Sequence, residues 1–167
     1  MAPKIITIGV YGFTEATFFE ALQVHRVDHF CDIRQRRGLR GRDYAFANSL
    51  QLQRRLEELG IAYVHFKNLA PPLEVRRRQQ TVDQAGGVKK RARSRLSPAF
   101  VAAYEVTVLA DFNAQAFLDT VGPAAVLALF CVEREPEACH RSLLADRLAQ
   151  SLGLDVEHIL PGGSVHT

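Results

Sequence analysis

Five side chains able to do chemistry fall within eleven positions: Cys131, Glu133, Cys139, His140 and Arg141. Asp32 and Arg34 form a second such group, a hundred residues upstream. Three kinds of chemistry suit these residue types. In the first, Cys139 is a nucleophile. A thiol near a helix N-terminus and flanked by His140 and Arg141 has a lowered pKa, and Cys131 would be its strand-end partner or resolving thiol. The Cys131-to-Arg141 spacing is too long for a phosphatase loop. In the second, Cys131, Cys139, His140 and His158 are soft metal ligands. Their spacing is not that of a zinc finger, and adjacent Cys139 and His140 on a helix point in different directions, so no metal and no other cofactor is expected.

The third chemistry is non-covalent and is the preferred reading. Asp32 and Glu133 are acid–base groups, or acceptors for a base or sugar, and Arg34, Arg37, His140 and Arg141 bind phosphate. Cys139 and His140 complete the catalytic candidates, with Cys131 and Gly12 on the binding side. This reading predicts a phosphate-bearing ligand, nucleic acid or nucleotide. A non-enzymatic binding module and a thiol enzyme are the alternatives, and the sequence does not decide whether the protein is an enzyme.

The elements that must position these groups alternate between strand and helix. Residues 124–131 are a continuous apolar run, which suits a strand covered on both faces. Pro136 suits the first helical position, where its missing N–H is no loss. Leu143, Leu144, Leu148 and Leu152 give the following helix an apolar stripe. Cys139 to Arg141 then sit at that helix's N-terminus, which favours anions, and at strand carboxyl ends, where open α/β sheets bind ligands.

Upstream, residues 4–10 are a first strand and Thr14 an N-cap for a helix burying Phe18, Phe19 and Leu22. The turn between them, Gly9-x-x-Gly12, matches neither the dinucleotide fingerprint nor the P-loop. Residues 29–33 form a second strand. Residues 44–59 form a helix with Leu50, Leu52, Leu56 and Leu59 inside and Gly60 as its cap. Residues 61–66 form a third strand. Residues 98–118 are helical, residues 155–160 a fifth strand, and the remainder from Pro161 a tail. The fold class is therefore α/β, a Rossmann-like three-layer arrangement. Its mostly parallel sheet has about five strands, with a helical, basic insertion over 70–123 between the third and fourth, all in a single domain over 1–167.

Net charge is only +3, yet thirteen of the 21 basic residues lie in two segments. Arg34, Arg36, Arg37, Arg40 and Arg42 occupy one, with Gly38 and Gly41 permitting close backbone approach. Arg76, Arg77, Arg78, Lys89, Lys90, Arg91, Arg93 and Arg95 occupy the other, against only Glu74 and Asp83. Such a patch attracts a polyanion, and its sparse aromatics do not signal base stacking. No apolar run reaches the roughly 20 residues of a membrane span. Three cysteines without framework spacing and the absence of a leader pattern predict a cytoplasmic protein. Oligomeric state is not legible.

Several stretches together carry a resemblance: Thr7-Ile8-Gly9, the strand end Asp32-Ile33-Arg34, LxxLGIxYVH from Leu56 to His65, CVEREPEACHRSLLADRL from Cys131, and Val156-Glu157-His158-Ile159. On these the chain resembles the DUF488 family over nearly its whole length. The resemblance implies a compact Rossmann-like domain. It also implies that Asp32, Arg34, Cys131, Glu133, Cys139, His140 and Arg141 share one pocket. The turn Gly9-Val10-Tyr11-Gly12 departs from the small, polar GxS-type turn of many members, which argues against a role for a hydroxyl there.

Overall fold

The computed structural model describes residues 2–167. Six strands, β1 (Lys4–Ile8), β2 (His29–Asp32), β3 (Ala62–His65), β4 (Val126–Phe130), β5 (Val156–Ile159) and β6 (Val165–His166), form one sheet in the order β3-β2-β4-β1-β5-β6. Every pairing is parallel except that of β6, which runs antiparallel to β5. The sheet thus has one strand more than expected. The stretch read as a tail reverses at Gly162 and Gly163, both at positive φ, and Leu160 N–H donates to the Ser164 carbonyl. Two glycines in the left-handed region make so tight a reversal accessible.

Six helices flank the sheet: α1 (Glu15–Val24), α2 (Ser49–Glu58), α3 (Leu73–Gly86), α4 (Pro98–Tyr104), α5 (Ala114–Val121) and α6 (His140–Leu152). The parallel register places Ile8, Phe130 and Asp32 side by side, and Thr7, Leu129 and Cys31 side by side. Strand alternation sends these two rows to opposite faces. The first face receives α1, whose Phe18 packs edge-on against Phe30 and Phe130. The second receives α6, with Leu144, Ala145 and Leu148 buried and Arg141 reaching Thr7. Helices α4 and α5 pack beside α6. The result is the three-layer α/β arrangement that the alternating pattern predicts.

Two boundaries differ from expectation. The helix expected over 44–59 is a short 3₁₀ turn, Ala45–Ala47, a break at extended Asn48, and then α2. Asn48 Oδ1 accepts from Leu39 N–H, and Ser49 N–H donates to the Arg37 carbonyl. The break therefore ties the basic loop to the helix start. It also leaves Leu50 82% exposed, while Leu52 and Leu56 are fully buried. The second boundary is at α6. Pro136 opens a separate 3₁₀ turn, Pro136–Ala138, and Cys139 is extended at φ −136° and ψ 144° as the N-cap of α6.

The helical segment between β3 and β4 is held by polar groups as well as apolar ones. Gln79 donates to Asp83 Oδ1 at 2.7 Å and accepts from Ser97 N–H at 2.8 Å, and Arg93 Nε donates to Asp83 Oδ2 at 3.1 Å. Tyr104, fully buried, donates to the Leu69 carbonyl at 2.7 Å. No helix among the described residues is long and apolar enough to cross a membrane.

Candidate functional site

The chain leaves β4 at Cys131, loops out and returns to start α6 at Cys139 and His140. A fully buried guanidinium holds that loop in shape. Arg141 donates through Nη1 to the Glu133 carbonyl at 2.6 Å, through Nη2 to the Arg134 carbonyl at 3.0 Å, and through Nε to Thr7 Oγ1 at 3.4 Å. From the other side, Val10 and Tyr11 both donate N–H to the Val132 carbonyl at 3.1 Å. Gly9 allows this approach, because a Cβ there would lie 1.8 Å from the Glu133 carbonyl oxygen.

Three reactive atoms meet where the loop closes. The Sγ of Cys131 and the Sγ of Cys139 each lie 3.8 Å from His140 Nδ1. The two sulfurs and one ring nitrogen all fall within 4.8 Å of one another. His140 Nε2 is 2.9 Å from the Ile33 carbonyl oxygen and donates to it, so in the neutral ring Nδ1 is the acceptor toward the thiols, and in the protonated ring it is a donor to a thiolate. The Tyr104 ring packs edge-on against the imidazole, centroids 5.6 Å apart. Adjacent Cys139 and His140 converge because Cys139 is an extended N-cap and not a helical residue, so the expectation that they diverge fails on backbone conformation.

Burial and charge act against each other in this cluster. Burial would raise the Cys139 thiol, but a hydrogen bond from Cys131 and the positive charge of His140 and Arg141 hold it well below its ordinary range. Cys131 is pushed up, by its hydrogen bond with Cys139 and by burial. Burial would lower His140, yet the neighbouring Cys139 raises it. Burial, then the Cys139 charge, raises Glu133, against the pull of Lys90 and Arg93.

The cluster forms the floor of a cavity of about 550 Å³ at the carboxyl end of the sheet. Both basic segments reach it. Arg34, Gln35, Arg36, Gly38 and Leu39 line one wall, and Arg76, Gln79, Asp83, Lys90 and Arg93 the other. Arg91 joins the two segments by lying over the Tyr11 and Tyr44 rings at 5.0 and 5.3 Å and donating to the Arg40 carbonyl. Most of the wall charge is matched. Glu133 has Lys90 at 3.5 Å and Arg93 at 3.7 Å, Arg93 also binds Asp83, and Arg34 pairs with Asp32 behind the wall. Arg36 and Arg76 make no ion pair among the described residues, and the buried Nε of Arg76 has no hydrogen-bond partner there.

The other candidates lie elsewhere. Asp32 is at the same end of the sheet, but alternation turns it to the α1 face. There it is fully buried, accepting from Arg34 Nε at 2.9 Å, Arg34 Nη2 at 2.8 Å and Tyr63 Oη at 2.8 Å. Arg37 donates to Tyr63 Oη at 3.3 Å and does not line the cavity. Arg141 is committed to backbone carbonyls. Gly12, at φ +91°, donates N–H to Tyr44 Oη, and a Cβ there would meet Pro161 and Arg134. His158 bonds Thr7 Oγ1 at 2.7 Å through Nδ1. Cys31 is buried in β2, and burial pushes its thiol up to about 12. Sequence reasoning does not single out Tyr104 or the Glu133–Arg93–Asp83 chain. Tyr104 belongs to an apolar helical stripe, and Arg93 is one of many arginines in a charged run.

Residues 15–148 match the family model described as "Domain of unknown function DUF488". No curated protein and no solved structure matches the chain.

Proposed function

We propose that this chain, which belongs to the DUF488 family, binds a phosphate-bearing ligand of nucleotide size in the cavity at the carboxyl end of its sheet. One observation carries the reading. In a wall whose other charges are answered, Arg36 and Arg76 have no acid among the described residues, and Arg76 Nε is buried without any partner there. A buried donor left unsatisfied costs about 1–3 kcal/mol, which an anionic ligand would recover. A cavity of about 550 Å³ falls within the range of small-ligand sites. The basic residues outside the cavity extend the same chemistry to a nucleic-acid strand whose terminal phosphate enters it.

Titration calorimetry with nucleoside mono- and diphosphates and inorganic phosphate, beside anisotropy with labelled single- and double-stranded DNA and RNA over a salt series, tests this. Saturable nucleotide binding, weakened about tenfold or more by Arg76→Ala with the circular dichroism spectrum unchanged, supports the small-ligand form. Oligonucleotide binding that falls steeply with salt, with nucleotides inert, supports the strand form. No binding of either at low salt overturns the proposal and leaves the arginines a solvated face.

A further inference from the structure

We infer that Cys131, Cys139 and His140 bind one thiophilic divalent ion of the zinc(II) type, with a coordination position left facing the cavity. The inference is independent of the phosphate reading, because it rests on the cavity floor and not on its walls.

The geometry is that of a ligand set before closure. A tetrahedral zinc with bonds of about 2.3 Å to sulfur and about 2.0 Å to nitrogen holds its ligand atoms about 3.5–3.8 Å apart. Here each Sγ is 3.8 Å from Nδ1, and no pair exceeds 4.8 Å. Closing on an ion needs shifts of a few tenths of an ångström up to about one.

The imidazole is oriented as metal-bound histidines are. Its far nitrogen, Nε2, is anchored on the Ile33 carbonyl at 2.9 Å. Such an outer hydrogen bond fixes the tautomer that leaves the inner lone pair free for a metal. Nothing but the two sulfurs approaches Nδ1 within hydrogen-bond range among the described residues. The backbone is equally prepared. The loop between the two cysteines is clamped by Arg141 and by the Gly9 contact, so the ligands are held before an ion arrives.

Charge favours the ion as well. Two thiolates and a dication sum to zero, which suits a floor where Cys131, Cys139 and His140 are each at most 6% exposed. The fourth direction is not closed by a third sulfur. Glu133, with Oε2 3.8 Å from Cys131 Sγ, is the carboxylate at the floor, and beyond it lies the cavity. Three protein ligands and an accessible fourth position mark sites that present the metal to a ligand, whereas purely structural zinc sites are closed.

Reduced full-length protein, stripped of metal in oxygen-free buffer, is titrated with cobalt(II) and then zinc(II). The expected result is one equivalent of cobalt giving a near-ultraviolet sulfur-to-metal charge-transfer band and the intense visible bands of a tetrahedral ion, abolished by one equivalent of zinc. Cys131→Ser and Cys139→Ser each remove much of the charge-transfer intensity and weaken zinc binding more than about 100-fold, while Cys31→Ser leaves both unchanged. In wild type, zinc blocks alkylation of Cys131 and Cys139, read by peptide mass spectrometry, so the test holds even if a variant does not fold. A pale octahedral cobalt spectrum, zinc binding weaker than about 10 µM, or alkylation indifferent to zinc overturns the inference. Oligonucleotide and nucleotide binding play no part in this readout, so the two proposals fail separately.

Discussion

Arg141 Nη1 lies 2.6 Å from the carbonyl oxygen of Glu133. A helix side chain thereby closes the loop that precedes its own helix. The guanidinium touches no carboxylate among the described residues and is spent on two carbonyls and a hydroxyl. Arg141→Ala takes the donor away from the Glu133 and Arg134 carbonyls and leaves a cavity in the core, while Thr7 Oγ1 keeps its bond to His158. It should lower stability by about 3 kcal/mol, read as a fall in the urea midpoint. A full loss of ligand binding with unchanged stability would instead place Arg141 in the site itself.

Asp32 and Arg34 form a buried pair, with Arg34 also donating to the Ala47 carbonyl at 2.9 Å. Removing one partner strands a charge. Asp32→Ala should therefore cost about 3–5 kcal/mol in chemical denaturation, while Asp32→Leu combined with Arg34→Met recovers at least half of that loss. An acid–base role for Asp32 predicts the reverse, a stable single variant without turnover.

Gly9 is defined by what a side chain would strike. Its absent Cβ would overlap the Glu133 backbone, which cannot swing aside as a side chain can. Gly9→Ala should destabilise by about 3 kcal/mol and disturb the cavity floor. Gly38, where an added Cβ would meet nothing within 4 Å, is the control, and Gly38→Ala should shift the melting temperature by less than about 2 °C.

His158 supplies a pH dependence. Burial, followed by the charge of Arg141, lowers its pKa below the ordinary value. The unfolded chain therefore takes up this proton first as pH falls. The contribution is present in full above about 6.5, the unfolded value, and is lost as pH falls from there through the lowered folded value. Between about pH 7.5 and 5 the wild-type urea midpoint should decline relative to that of His158→Gln, a difference that sets aside the opposite contribution of the raised His140. An unchanged slope in the variant would show that His158 titrates alike in both states.

Leu50 follows from the helix phase. Exposed on α2, it should tolerate Leu50→Gln within about 0.5 kcal/mol, whereas Leu52→Ala should cost about 2–5 kcal/mol.

Periodicity and composition settled the order of the first five strands, the apolar β4, the N-cap at Thr14 and the glycine that follows α2, but not the short β6 in the stretch read as a tail. These are local properties, and neighbours in sequence enforce them. The cluster of Cys131, Glu133, Cys139, His140 and Arg141 was legible for the same reason, falling within eleven consecutive positions at a strand–helix junction. The roles within it were not. Whether Cys139 and His140 converge depends on one residue's backbone at the start of α6, and an extended N-cap there is a tertiary outcome. Asp32 looks from sequence like a partner of that cluster. Alternation along β2 turns it to the other face, and only the strand register shows where that face points. Arg141 reads as a phosphate ligand until packing gives each of its three guanidinium nitrogens an acceptor within the protein. Side-chain type was written in the chain, but which groups remain free to meet a ligand was decided by long-range packing.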